Sequence, residues 1–598
     1  MSHRTLTTII AASVCSICLI ADAAPSLALP EQGNVVQLNG QPWTGRWIRR
    51  VESDGQQSLY LQEEWVGSAL GVELMDSDRV GQQRIRWFSS PFYSRVTFDR
   101  PVQHRFLDIK AIAPQWRTEI SGNTLQIFTP DVAVQAIRRS KPEGGDRIVI
   151  DLSNRTPWQI QQQGNVTSLI LAAELAPSIK PGVNAEKGNL ISAVDVQSQS
   201  KQTILRIQTT ETLQPHIETL ADPPRILVDF KRGYVPTGSN ILWAEGLRRI
   251  ERIVALPNPN AKTEKDPKTL RFSVVYLLVD LKHRGVGMRP IWSNPNGMLG
   301  TSSLRTIADQ WQATAAINGG FFNRDRRLPV GLIREGNRWV AGAVLTRGAI
   351  AWNDKGEVFM DRLSFVEEIT TSNDRKITLT NLNSGYVQRG VARYTSPWGA
   401  AYTPLTENEV LVTVQGDRVV SQYQGGAVGQ GQVPIPTNGY VLVVRQSPEL
   451  VSQLLPGVQI KGRSVTKPST FNTFANIVGA GPLLLKNGKV VLDAMLEQFR
   501  PPFDTQGATR SAIATTKEDG KLILATIHAT PEGILPSLLQ TADILKKLGA
   551  VDALNLDGGS SSSLFLGGSI IDRDINAVAP IHNAIGIFLT PDSKSDQF

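Results

Sequence analysis

The stretch that decides the fold of the C-terminal region is Ala550-Val551-Asp552-Ala553-Leu554-Asn555-Leu556-Asp557-Gly558-Gly559-Ser560-Ser561-Ser562-Ser563-Leu564. It begins as a short apolar strand and passes through an acidic, glycine-rich turn into a second apolar segment. Two glycines directly after a lone carboxylate allow positive φ and let the backbone approach a ligand closely. Successive amide groups in such a turn can form an anion-binding nest. The pattern therefore places Asp557 beside a concavity suited to phosphate or sugar hydroxyls, with a polar hairpin and an Asx-turn as the alternative.

A hairpin and a helix are predicted just before this stretch. Two alternating segments, 511–516 and 521–527, flank Asp519-Gly520, which is typical of a tight turn. Counting back from the turn places Arg510 opposite residues 527–529, so Arg510 and His528 are expected close together at the open end of the hairpin. Helical spacing over 534–548, with Gly549 at its end, predicts a helix whose apolar stripe is Leu535, Leu538, Leu539, Ala542, Leu545 and Leu548.

Several segments in the later half resemble, in order, the motifs of the phosphodiester glycosidase family, which includes the mammalian uncovering enzyme. The segments are Ala316-Ile317-Asn318-Gly319-Gly320-Phe321-Phe322, Gly479-Ala480-Gly481-Pro482-Leu483-Leu484, Arg510-Ser511-Ala512-Ile513-Ala514, Asn555-Leu556-Asp557-Gly558-Gly559-Ser560-Ser561 and His582-Asn583-Ala584-Ile585-Gly586. Together they span about residues 250–589. Two positions depart from the family pattern: Ser560 replaces a third glycine, and His528 lies where the family often has Asp-Gly.

The resemblance implies a hydrolase that cleaves a sugar-1-phosphodiester to free sugar and phosphomonoester. Asp557 would be the nucleophile or the base for water, Arg510 would bind phosphate, and His528 would act as an acid or orient the phosphate. The alternatives are a structural aspartate, an ion-paired surface arginine and an exposed histidine. The predicted substrate contacts are Asn318, Gly319, Gly320, Gly558, Gly559, Ser560, Ser561 and Asn583, although the two asparagines could simply form turns.

Other kinds of site are not indicated by the sequence. No His, Cys and Asp spacing resembles a zinc site, and no EF-hand loop is present, so neither a metal nor a cofactor is predicted. No G-x-S-x-G elbow follows a strand, which argues against a serine hydrolase. The runner-up function is a non-catalytic protein that binds cell-wall polymer or exopolysaccharide.

The N-terminus has the pattern of a signal peptide over residues 1–28. His3 and Arg4 precede an apolar run over 9–20, followed by small residues suited to cleavage. Both cysteines, Cys15 and Cys18, lie in this segment, so the mature chain is expected to be cysteine-free. No later run is long and apolar enough to span a bilayer. The sequence therefore predicts export to the periplasm, the cell envelope or the exterior.

The rest of the chain is predicted as mostly-β N-terminal modules before an α+β phosphodiester glycosidase-like domain at 241–598. Residues 29–99 resemble the small N-terminal module of copper amine oxidases, which also occurs without a copper site. Residues 100–240 resemble AMIN modules, because the strand Gly145–Leu152 recurs as 224–230. Two unrelated strands of similar pattern are the alternative. An AMIN-like module implies peptidoglycan as a partner.

Length and charge are consistent with this division. A chain of 598 residues is too long for one core. Its composition is ordinary, with 41% hydrophobic and 19% charged residues, and its formal net charge is +8. This charge suits an anionic polymer as well as nucleic acid, and no zinc-finger, RRM or helix-turn-helix pattern supports nucleic-acid binding.

Overall fold

The computed structural model describes residues 31–590 except residue 53 and the stretches 143–144, 181, 185–187, 232–237, 260 and 264–266. The predicted signal segment lies outside these residues. The described residues are mostly β, with 52% in strands and 9% in helices, so the predicted α+β class is wrong. The described part has five short helices, Glu63–Leu70, Ile109–Ile112, Leu304–Trp311, Pro448–Val451 and Leu538–Lys547. None of these helices could span a membrane.

The first unit is a nine-stranded sheet. In spatial order its strands are Glu73–Leu74, Gln82–Trp87, Ser90–Phe98, Arg105–Asp108, Gln57–Gln62, Gln41–Val51, Glu31–Leu38, Thr124–Phe128 and Arg117–Ser121. The sheet extends past the predicted boundary at residue 99, because the last three strands in sequence also belong to it. Helix Glu63–Leu70 ends at Gly71 in the left-handed conformation, which glycine adopts readily.

The second unit consists of two five-stranded sheets. One contains Glu174–Leu175, Ala133–Ser140, Gly145–Leu152, Pro224–Lys231 and Pro215–Ala221, and the other contains Trp158–Gln163, Val166–Leu171, Gln202–Thr209, Ile191–Gln199 and Gly182–Asn184. The two similar strands noted in the sequence pair directly with each other, Asp151 opposite Arg225, within one sheet. Buried side chains of both sheets and of the first unit, such as Trp47, Ile148 and Leu205, belong to one hydrophobic cluster.

The C-terminal region is built on an antiparallel eight-stranded sheet. Its strands, in spatial order, are Ser239–Ala244, Leu247–Pro257, Thr269–Asp280, Lys521–Ile527, Arg510–Thr516, Ala550–Asn555, Leu483–Lys486 and Lys489–Val490. The predicted hairpin lies at its centre. Helix Leu538–Lys547 covers one face, where Leu538, Ala542 and Leu545 pack against alternate strand residues. The helix starts later than predicted, because Ser537 forms a capping box with Gln540 directly after Pro536.

A five-stranded antiparallel sheet faces the opposite side of the eight-stranded sheet. Its strands are Val286–Trp292, Asn583–Leu589, Ala315–Asn318, Leu564–Leu566 and Ser569–Ile570. The two sheets share a dry core to which Ile513, Leu554, Ile317 and Ile585 contribute. Helix Leu304–Trp311 packs on the outer face of the smaller sheet, and the Ser303 side chain caps it by accepting from the Thr306 amide.

An eleven-stranded sheet occupies the middle of the sequence. Along its main path it contains Arg338–Ala341, Ile333–Glu335, Asn476–Gly479, Arg347–Trp352, Val358–Thr371, Lys376–Leu382, Gly390–Thr395, Gly439–Arg445, Val410–Gln415 and Arg418–Gln424, while Ile460–Lys467 pairs with Val358–Thr371. Two short two-stranded pairs complete the described strands, Phe322–Asn323 with Leu328–Pro329 and Ala401–Tyr402 with Val433–Pro434. Its residues Ile350 and Val478 belong to the core that the eight-stranded and five-stranded sheets share, so all three sheets contribute to one core.

Candidate active site

Asp557 lies where the chain passes from the eight-stranded sheet to the five-stranded sheet. The Leu556 amide donates to the Ser511 carbonyl of the larger sheet at 2.9 Å, and the Asp557 amide donates to the Gly319 carbonyl at 3.0 Å. The loop is therefore tied to both sheets by consecutive backbone groups. These bonds fix the position of the Asp557 carboxylate at the shared end of the two sheets.

The Asn318 side chain holds the Asp557 loop through hydrogen bonds. Its side-chain amide donates to the Asp557 carbonyl at 2.7 Å, and its oxygen accepts from Ser511 Oγ at 2.6 Å and from the Ser563 amide at 3.1 Å. The side chain is fully buried. Because these protein groups engage both ends of the amide, the geometry gives Asn318 a positioning role, and its direct contact with substrate stays a prediction.

Asn583 holds the two glycines after Asn318 through hydrogen bonds. Its side-chain oxygen accepts from the Gly320 amide at 2.8 Å, and its carbonyl accepts from the Gly319 amide at 2.9 Å. A Cβ at Gly320 would collide with the Gly479 carbonyl, so the tight packing of three strands requires glycine there. Asn583 is also buried, and its predicted substrate contact likewise stays a prediction.

The glycine-serine part of the loop is more open. Gly559 has a φ of +66°, which favours glycine, and its amide donates to the Thr509 carbonyl at 2.7 Å. Gly558 is half-buried, and its amide donates to Asp557 Oδ1 at 3.0 Å. Ser560 is exposed, whereas Ser561 is buried. Of the loop's predicted contacts, Ser560 is thus the most accessible to a ligand.

The Asp557 carboxylate is half-buried and has no ion-pair partner among the described residues. Burial raises its pKa above the ordinary value, while the Ser561 hydroxyl, the Gly558 amide and the positive charge of Arg324 act in the opposite direction. Arg324 is exposed in the turn that follows the glycine motif. The carboxylate is therefore not held in a salt bridge with any described residue, and its catalytic role stays a prediction.

Arg510 is a buried guanidinium with no carboxylate partner in the described part of the chain. It is 2% exposed, and its hydrogen bonds run to two backbone carbonyls, from Nε to Pro536 at 3.4 Å and from Nη2 to Gln506. Burial lowers its pKa to about 10, so it stays charged at neutral pH. Its Nη1 lies 3.9 Å from the position that a Cβ on Gly558 would take. A positive charge without a counter-ion, adjacent to the Asp557 loop, is suited to binding an anion.

His528 belongs to a second cluster of charged side chains. Its Nε2 lies 3.2 Å from Thr526 Oγ1 and 3.3 Å from Asp572 Oδ2. The Asp572 side chain is fully buried and accepts from the Leu564 amide at 2.9 Å. Arg573 Nε lies 3.8 Å from the same carboxylate, and the Arg573 guanidinium donates to the Gly559 carbonyl at 3.4 Å. The cluster therefore connects His528 with the Asp557 loop.

Arg510 and His528 lie at one end of the hairpin but on opposite faces of it. Arg510 pairs with Ile527, which confirms the register counted from the sequence. Side chains alternate along a strand, so Arg510 projects beside the helix and His528 projects toward the five-stranded sheet. The two side chains therefore lie on different faces of the hairpin, and their action as parts of one site stays a prediction.

Sequence reasoning missed Arg324, Asp572 and Arg573. Arg324 lies in the segment Asn323-Arg324-Asp325-Arg326-Arg327, whose charge directly after the glycine motif could have identified it. Asp572 and Arg573 follow a short hairpin and carry no local signal of function. No group of three or more metal-ligating side chains occurs in the described residues, and the absence of a metal or cofactor stays a prediction.

Part of the candidate site lies in a stretch that matches a known family. Residues 408–588 match the phosphodiester glycosidase family and include Arg510, His528, Asp557 and Asn583. No curated protein matches the chain. The resemblances of the N-terminal units to AMIN and copper amine oxidase modules stay predictions.

Solved structures also match the chain. A hypothetical protein from Synechocystis is 34% identical, with a TM-score of 0.83 over 94% of this chain and 99% of that chain. The catalytic domain of zebrafish N-acetylglucosamine-1-phosphodiester alpha-N-acetylglucosaminidase, auto-inhibited by its pro-peptide, is a distant match at 14% identity and a TM-score of 0.30, covering 64% of this chain and 90% of that one. This chain therefore belongs to the same family as the Synechocystis protein, and its residues 408–588 carry a phosphodiester glycosidase domain.

Proposed function

We propose that this protein hydrolyses a sugar-1-phosphodiester to free sugar and phosphomonoester. The observation that carries the proposal is the buried Arg510, which has no carboxylate partner among the described residues and lies beside the Asp557 loop. A buried charge is costly unless it is paired, so such a guanidinium favours an anionic ligand. The family match at 408–588 supports a glycosidase-type reaction on that anion.

In the proposed reaction, Arg510 binds the phosphodiester and Asp557 acts at the anomeric carbon. The bond between that carbon and the bridging oxygen breaks, and the oxygen leaves with the phosphorus as part of the phosphomonoester. Water supplies the hydroxyl of the free sugar, and the other proton of that water goes to solvent. Asp557 either attacks the carbon first or activates the water, and both routes require the ionised carboxylate.

His528 has a smaller role in this proposal. A phosphate leaves readily without strong protonation, so His528, oriented by Asp572, orients the phosphate or supplies a proton to it. Hydrogen bonds from Asn318 to the Asp557 loop and between Asn583 and the Gly319-Gly320 backbone hold these two segments in position.

The location and the natural polymer are also part of the proposal. The signal-like N-terminus and the β-rich units before the catalytic region support an exported protein that acts on envelope or extracellular glycans. Peptidoglycan binding by residues 100–240 is proposed on the resemblance to AMIN modules alone.

The test is steady-state kinetics on a panel of sugar-1-phosphodiesters with the wild type and Asp557→Asn. Loss of an acid-base or nucleophilic group is expected to lower kcat by about 10²–10⁴-fold with little change in binding. Because burial raises the pKa of Asp557, kcat/KM of the wild type should rise with pH through a midpoint above 3.8.

The matched control is Asp519→Asn, which changes an 82% exposed aspartate in the turn of the central hairpin. Its kcat should stay within about twofold of the wild type, because exposed ion pairs contribute little. Near-normal kcat in Asp557→Asn would contradict the proposal. If wild type and Asp557→Asn bind a phosphodiester equally and neither turns it over, the protein is a glycan-binding protein instead.

A further inference from the structure

Apolar side chains are exposed in the segment 534–539, which contains Pro536, a residue whose carbonyl accepts from Arg510. Ile534 is 37% exposed, Leu535 is 39% exposed and Leu539 is 53% exposed. The sequence predicts that both leucines belong to the apolar stripe of the helix, but Leu535 precedes the helix, which starts at Leu538, and Leu539 lies on its solvent face. We refer to Ile534, Leu535 and Leu539 as the apolar patch.

Short contacts connect this patch to the guanidinium. Arg510 Nε donates to the carbonyl of Pro536, the residue after Leu535. A Cβ on Gly507 would lie 3.2 Å from Leu535 Cβ, and the Gln506 carbonyl before it accepts from Arg510 Nη2. Leu535 is therefore adjacent to both backbone segments that hold the guanidinium.

One aromatic ring lies near the same guanidinium and packs against two further rings. The Phe503 ring centroid lies 5.6 Å from Arg510 Cζ. Phe503 stacks on Phe499 at 4.6 Å with an interplanar angle of 10°, and Phe321 packs against both rings. A phosphate bound to Arg510 would thus lie near both the apolar patch and the Phe503 ring. An entirely polar aglycone would make no favourable contact with these apolar groups.

We propose, on the basis of the function proposed above, that the aglycone of the substrate is a hydrocarbon chain and that the substrate is a sugar-1-phosphodiester of a lipid alcohol. The phosphate binds Arg510, and the chain leaves it across the apolar patch. Charge and polarity both fit this occupant: the unpaired guanidinium matches the phosphodiester, and the exposed leucines match the alkyl chain. The Asp557 loop on the other side of Arg510 then faces the sugar.

The test measures binding of methyl, butyl and octyl phosphate by calorimetry, below the concentration at which they form micelles. Affinity should increase by about fourfold for each methylene group that becomes buried, so three buried methylenes give about 60-fold. The readout is the ratio of octyl phosphate to methyl phosphate affinity. In the double variant Leu535→Ser/Leu539→Ser this ratio should fall toward one.

The control is Val420→Ser, which changes a side chain 48% exposed on the eleven-stranded sheet and should keep the wild-type ratio. The inference is overturned if affinity does not depend on chain length in the wild type. It is also overturned if the double variant keeps the wild-type ratio. The same holds if the wild type self-associates and the double variant differs from it only in having lost that self-association. Because the readout is binding, it is separate from turnover: failure to hydrolyse any phosphodiester would reject the proposed reaction and leave the chain-length result interpretable.

Discussion

Replacing Arg510 by methionine should stabilise the fold while removing anion binding. Burial lowers the Arg510 pKa from its ordinary 12.5 to about 10, which corresponds to a cost of about 3 kcal/mol for the charged form. The substitution also removes two hydrogen bonds, but the Pro536 carbonyl keeps a donor in the Ala508 amide at 3.2 Å. Only the Gln506 carbonyl loses its side-chain partner, at about 1–2 kcal/mol. The net gain in unfolding free energy is therefore about 1–2 kcal/mol.

The assay is thermal unfolding of the full chain with and without inorganic phosphate. Without phosphate, the unfolding midpoint of Arg510→Met should lie a few degrees above that of the wild type. The conversion is roughly 2–4 °C per kcal/mol for a domain of about 150–250 residues. Phosphate at about 100 times its dissociation constant should stabilise the wild type by about 2.7 kcal/mol and leave Arg510→Met unaffected.

The control is Arg445→Met, since Arg445 is as buried as Arg510 but pairs with Glu409 at 2.7 Å. Its removal leaves a buried carboxylate unpaired and should destabilise the protein by about 3–5 kcal/mol. The reasoning about Arg510 is refuted if Arg510→Met also lowers the midpoint, or if phosphate stabilises that variant as it does the wild type.

Three further predictions concern the frame around the site. Asn318→Ala should lower stability by about 1–3 kcal/mol in urea denaturation and reduce kcat more than it changes KM, because the Asp557 carbonyl loses its donor; unchanged kcat would argue against a positioning role. Gly320→Ala should cost about 1–3 kcal/mol, since the added Cβ meets the Gly479 carbonyl, and an unchanged urea midpoint would exclude that clash. Burial lowers the pKa of His582 to about 4, so between pH 6.5 and 4 the unfolded state binds a proton that the folded state does not. The free energy of unfolding should therefore fall by about 3 kcal/mol over this pH range. Urea titrations at each pH should show that His582→Gln lacks this pH-dependent loss.

Local signals in the sequence were sufficient for several elements. Asp519-Gly520 determined the hairpin register, so the pairing of Arg510 with Ile527 could be counted without a structure. The helix Leu538–Lys547 was predicted from its apolar spacing, although the predicted helix began at residue 534. The α+β class failed because the apolar segments between the recognised motifs form strands of one large sheet, and pairing between distant strands is not encoded locally.

By itself, the sequence identified Asp557, its glycine loop and the order of motifs around it, since turn chemistry and family patterns are local properties. Only the tertiary structure showed how deeply each side chain is buried and which groups it contacts. Packing of two sheets buries Asn318 and Asn583 behind the loop, and strand alternation separates Arg510 from His528. Among the described residues Arg510 has no carboxylate partner, and Leu535 is exposed near it, because of how segments far apart in sequence meet at one sheet end. Burial and pairing depend on these distant neighbours, and no local pattern specifies them.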